Sequence, residues 1–174
     1  YNSIIGHTKD SEKKQILLQL DYIPENSILI LDRLYPSAEL IYELNKRQIK
    51  FVIRCANTWN AAVSKVYIDK NCRDKTVTHK ITEKAVTELK KRVSPEEVKN
   101  MNCNLEISYR ILKVKIPDNE ASIKAKTENT EMLLTNIFEG MTEEDFQKIY
   151  NYRWGVETGI DVLKNKLAIE SLTG

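Results

Sequence analysis

Apolar and polar residues follow two different periods along this chain, and the switches between them mark its elements. Residues 11–20, SEKKQILLQL, open with Ser11 as a helix N-cap and place Ile16, Leu17 and Leu20 on one helical face. Pro24 and Asn26 break that pattern. Residues 27–31, SILIL, are a short continuous apolar run ending at Asp32, the pattern of a buried parallel strand. Pro36 and Ser37 open a helix over about 36–47, with Leu40, Ile41 and Leu44 on its inner face. KFVIR at 50–54 reads as a second buried strand. Helix, strand, helix, strand at this spacing predicts an α/β layer.

From about residue 58 the pattern changes. Val63–Asp69 and Val77–Ile81 show β-branched alternation and read as strands, while 83–92 and 95–103 read as short helices or polar connections. Leu105–Ile116 is the clearest long strand, its apolar positions alternating with Glu106, Arg110, Lys113 and Lys115. EMLLTNI at 131–137 returns to a continuous apolar run that rejoins the central sheet. The predicted division is a first core segment at 1–57, a β-rich insertion at 58–130 and a second core segment at 131–174. Thr142 and Asp145 form a capping box, with Asp in the usual Glu place, ahead of a helix that runs to about Leu167.

That last helix holds the candidate chemistry. At about 100° per residue from Arg153, Lys164 falls at roughly 20°, Glu157 at roughly 40° and Tyr150 at roughly 60°. Val156, Ile160, Leu163 and Leu167 form an adjacent apolar stripe that can pack on a sheet. The polar stripe from Arg153 to Lys164 is roughly 16 Å long, enough to follow two or three phosphates. Periodicity alone leaves two readings open: a functional face, or a solvated face in which Arg153 and Glu157 are an ordinary i, i+4 pair.

Composition narrows the classes. The 174 residues suit one domain, or one domain with an inserted subdomain, and 41% hydrophobic content allows a sizeable core. A net charge of +2 gives no global attraction to nucleic acid, so a DNA-binding reading rests on local clusters. No apolar run is long enough to span a bilayer. Cys55, Cys72 and Cys103 are odd in number and widely spaced, which argues against a disulfide framework or zinc site and suits a reducing cytosol. His7 and His79 have no soft ligand nearby in sequence and read as polar residues. The chain begins at Tyr1, not Met, as a fragment or processed product would.

Tyr150-x2-Arg153-x3-Glu157-x6-Lys164, with Trp154 after the arginine, resembles the signature of the insertion-sequence-four family of DDE transposases. Asp32-Arg33-Leu34-Tyr35 after SILIL resembles that family's D-R-G-Y segment, and KFVIR and LLTNI resemble its strands. The likeness covers most of the chain and is weakest between about 58 and 104.

The resemblance implies an RNase H-like fold, a mixed sheet flanked by helices and interrupted by a β-rich insertion. It implies Asp32 and Glu157 as the second and third catalytic acids, in a site holding two Mg²⁺ (or Mn²⁺) ions. Hard divalent ions prefer oxygen ligands, so carboxylates serve where Cys and His clusters are absent. Tyr150, Arg153 and Lys164 are implied phosphate contacts; Arg33 is an additional candidate, as is Arg54. Trp154 would stack on a base or anchor its helix. Thr135 and Asn136 are expected at a strand end beside the acids, in a supporting role.

Partners implied are transposon-end and target DNA, with a homodimer assembled on them. The expected location is the bacterial cytoplasm, at the nucleoid. Leu34 stands where the family has Gly, so the turn after Asp32 is expected to differ. Asp10 and Asp21 lie too close to Asp32 to serve as the family's first acid. The chain therefore reads as a catalytic-core fragment without the opening strands, inactive alone. The alternative is a decayed or domesticated transposase that binds DNA without cutting it.

Overall fold

The computed structural model describes residues 12–91, 105–116 and 129–152. Helix α1 (Glu12–Gln19) runs into a 3₁₀ turn at Leu20–Tyr22. Then follow β1 (Ile28–Leu31), α2 (Ala38–Lys46), β2 (Lys50–Cys55), α3 (Ala61–Ile68), β3 (Asp74–Lys80), α4 (Glu83–Lys90), β4 (Glu106–Lys115) and β5 (Thr130–Thr135). A last helix, α5, begins at residue 143 and is described to 152.

The strands form one mixed sheet in the order β1-β2-β5-β4-β3. β1 and β2 are parallel, as their continuous apolar sequences predict, and every other pairing is antiparallel. Strands β3 and β4, from the tract read as an insertion, extend the same sheet as β1, β2 and β5.

Alternation along the strands divides the sheet into two faces. Leu31, Phe51, Ile53, Ile107, Tyr109, Ile111, Met132 and Leu134 share a cluster with Leu40, Ile41 and Leu44 of α2, Val63 and Val66 of α3, and Val86 and Leu89 of α4. The opposite face carries Val52, Leu112, Val114 and Leu133, clustered with Phe146 and Tyr150 of α5 and flanked by Ile28 and Ile30. Helices α1–α4 thus cover one side, and α5 packs on the other.

One predicted strand is a helix. Residues 63–69 alternate like a strand, yet Ala61–Ile68 is α3. Asn60 explains the switch: its Oδ1 accepts the Val63 N–H at 2.9 Å, satisfying an N-terminal donor of the helix. Its Nδ2 donates to the Tyr109 hydroxyl at 2.7 Å, tying the cap to β4. Buried Lys113 donates to the carbonyls of Tyr67 and Asp69 at 2.9 and 3.2 Å, placing a cation at the helix's negative end. Tertiary contacts override the β propensity of Val63 and Val66.

The start of α5 is anchored by charge. Thr142 and Asp145 make the predicted reciprocal cap: the Thr142 N–H donates to Asp145 Oδ2 at 2.9 Å, and the Asp145 N–H donates to Thr142 Oγ1 at 3.3 Å. Arg73 grips Glu143 with two bonds of 2.9 and 2.7 Å. Those bonds, led by the Arg73 contact, hold the Glu143 carboxyl below its ordinary pKa.

A depressed carboxylate stabilises the fold above its unfolded pKa and loses that contribution as pH falls through the lowered native value. Both side chains are about one-third exposed, so the contribution is on the order of 1 kcal/mol or less. Glu143→Gln should melt lower than wild type at neutral pH. The two melting curves should converge below the native pKa of Glu143; parallel curves at every pH would contradict this.

Candidate active site at the end of the central strands

Asp32 follows directly on β1, where α/β sheets place functional groups at the carboxyl ends of parallel strands. Ile28 and Ile30 lie with the α5-side cluster, so alternation assigns Asp32 to the same face as α5. Its carboxylate accepts the Arg33 N–H at 2.6 Å, and its carbonyl accepts the Tyr35 N–H at 3.1 Å, closing a tight turn. Among described non-glycine residues only Asn26 and Gln48 have positive φ, so this turn carries Leu34 without the left-handed backbone that calls for glycine. Arg33 and Leu34 are both exposed on it.

Beside Asp32 the ladder sets Arg54. Leu31 and Ile53 are the last β1–β2 pair, and Asp32 and Arg54 are the next residues along each strand. Arg54 pairs with Glu131 of β5 at 2.8 Å, on a carboxylate only 8% exposed. Glu131 was not singled out from the sequence because one acid opening an apolar run carries no periodic signal.

Tyr150, predicted on the polar stripe of the last helix, is 2% exposed in the cluster with Val52 and Leu133. Phe146 lies one turn before it and is fully buried. The stripe that holds Tyr150 therefore faces the sheet at this point, not solvent. Arg153, Trp154, Glu157 and Lys164 lie outside the described residues.

Thr135 and Asn136 are elsewhere than expected. β5 runs antiparallel to β2, so its C-terminal end lies beside the start of β2, at the end of the sheet opposite Asp32. There Thr135 Oγ1 donates to the Phe51 carbonyl at 2.6 Å. Asn136 accepts the Phe51 N–H at 3.1 Å and donates to the Ile49 carbonyl at 2.8 Å. Both residues fix strand register at that end of the sheet.

The other singled-out groups are structural in their contacts. Burial pushes the Cys55 thiol up to about 12, so it stays protonated; Cys72 is also a free thiol. His79 lies edge-on to Tyr109, and burial lowers its pKa. Cys103 and His7 lie outside the described residues. Arg110 joins Asp74 at 2.5 Å, donates to the carbonyls of Ile137 and Met141, and covers the Phe146 ring.

Asp32 offers hard oxygen donors in a half-buried position open to solvent, which fits a cation such as Mg²⁺ that keeps part of its water shell. Among the described residues no three potential metal-ligating side chains come together. No helix among them is long and apolar enough to cross a membrane.

This geometry defines an α/β domain with an acid at the carboxyl end of a parallel strand, on the sheet face against which α5 packs. The transposase DDE domain family matches residues 3–173, and the chain belongs to that family. Its mixed five-stranded sheet with flanking helices is consistent with the RNase H-like fold of such domains. No curated protein matches the sequence.

Proposed function

We propose that this chain is the catalytic core of an insertion-sequence-four transposase, cleaving and joining phosphodiester bonds at transposon ends. The observation that carries the reading is Asp32, at the end of β1 on the face covered by α5. Positions 146, 150, 153 and 157 share one helical stripe in sequence, at spacings of four, three and four. Phe146 and Tyr150 hold the first half of that stripe against the sheet, which supports Glu157 as the partner acid of Asp32.

In this reading Asp32 and Glu157 hold Mg²⁺ or Mn²⁺. When bound, the ions would supply Lewis acidity for the attacking oxygen and offset charge on the leaving oxygen. The protein's own part is to place the acids and bind DNA. Arg153, Lys164 and Arg33 take backbone phosphates through charge-assisted hydrogen bonds, which position the strand without reading its sequence. Tyr150 is buried, hydroxyl included, and its part is to hold the helix against the sheet. Trp154 anchors the helix or stacks on a base. A homodimer on paired transposon ends, working in the bacterial cytoplasm at the nucleoid, completes the proposal.

Asp32 and Glu157 are two acids where the family's chemistry uses three, so the isolated chain is expected to bind DNA without cutting it. The test adds DNA carrying the element's ends, with Mg²⁺ or Mn²⁺, to the chain alone and to the intact transposase. Ion-dependent cleavage by the transposase, stopped by chelation, supports the reading. A transposase that binds the ends but never cuts them with either ion would favour the non-catalytic DNA-binding protein instead.

A further inference from the structure

Glu131 opens β5 with a carboxylate that is 8% exposed, paired to an Arg54 side chain that is 27% exposed. Their face of the sheet is otherwise apolar here, with Val52 and Leu133 as neighbours in the ladder. Withdrawing two charges from water is costly, and apolar residues of similar size are often as stable or more so. Stability alone therefore gives little reason for this pair.

Its position gives a better one. Asp32 and Arg54 are adjacent across β1 and β2, with strand backbones about 5 Å apart. Alternation puts Asp32, Arg54 and Glu131 on the α5 face, following Ile30, Val52 and preceding Leu133 respectively. Arg54 thus stands in the sheet between two acids, and its guanidinium is paired with the one on β5.

We propose that Glu131 is a positioning residue for DNA: it holds Arg54 beside Asp32, so that the guanidinium meets the backbone phosphate brought to that acid. The proposal rests on the transposase reading. A guanidinium has five N–H donors in a rigid fork; the ion pair engages Nη2, and the same fork can meet a phosphate. Arg33, exposed on the turn, has no comparable anchor among its described contacts.

The test measures binding of a short mixed-sequence DNA duplex to the full chain in metal-free buffer, across a salt series. Each lost phosphate contact lowers the slope of log affinity against log salt by roughly 0.9. Arg54→Gln should lower the slope by that amount. Glu131→Gln should do the same with Arg54 intact, and the double variant should match Arg54→Gln alone. Glu131→Asp keeps the charge while drawing the guanidinium back, and should weaken binding with the fold preserved.

A slope unchanged in Glu131→Gln, even with a lower melting temperature, would make the pair merely structural and overturn the proposal. If Glu131→Gln fails to fold, unchanged affinity in Glu131→Asp overturns it equally. Wild-type chain that does not bind DNA at all would instead sink the transposase reading beneath it.

Discussion

Replacing Asp32 with Asn should abolish metal-dependent DNA cleavage by the transposase while leaving the domain folded. The amide keeps the side chain's size and still offers an oxygen to the Arg33 N–H, so the turn after β1 retains its contact. What disappears is the negative charge and half of the hard-oxygen donor set. Losing several kcal/mol of charge stabilisation in the transition state corresponds to a rate lower by roughly 10³-fold or more. The result to seek is cleavage near background with an unchanged thermal midpoint. Wild-type cleavage by Asp32→Asn would remove Asp32 from the site, whatever its place in the fold.

Phe146→Ala should be the most destabilising single change on the α5 side of the sheet. Phe146 is fully buried, packs with Val52, Leu112, Val114 and Leu133, and lies 5.3 Å beneath the Arg110 guanidinium. Truncating a buried Phe to Ala costs roughly 3–5 kcal/mol through lost transfer energy and the cavity left behind. The Arg110 cation would also lose its aromatic surface, although Asp74 and two backbone carbonyls still hold it. Urea denaturation should show a lower midpoint with a similar slope. A loss below about 1 kcal/mol would mean that α5 contributes little to this face. Because Tyr150 sits one turn further on, loosening Phe146 should weaken DNA binding as well.

Much of this architecture was legible in the sequence. SILIL and KFVIR have the continuous apolar pattern of parallel strands buried on both faces, and they form the β1–β2 pair. Leu105–Ile116 alternates and forms β4, while Ser37 and Thr142 cap the helices they precede. What failed did so for tertiary reasons. Val63–Asp69 looks like a strand because Val63 and Val66 are β-branched, but the Asn60 cap and the Lys113 cation favour a helix over β4.

The candidate site was legible only in part. Asp32 stands out because a family-like segment follows an obvious strand, and that strand is β1. Glu131 and Arg54 meet through an antiparallel pairing 77 residues apart, which no local period encodes. Thr135 and Asn136 were placed at the wrong end because strand direction in a mixed sheet cannot be read from an apolar run. Tyr150 turned inward because helical phase fixes which residues share a stripe, while packing decides which way the stripe faces.

The clamp at the far end of β5 reaches further than its hydrogen bonds. Thr135 and Asn136 lock β5 to Phe51, and side chains along a strand alternate between faces. A slip of one residue would send Glu131 to the α2 side of the sheet and take its carboxylate away from Arg54. Residues at the far end of β5 from Glu131 thus decide which face of the sheet its carboxylate occupies. In a genetic screen that scores only lost transposition, Asn136 would register as though it were part of the catalytic machinery.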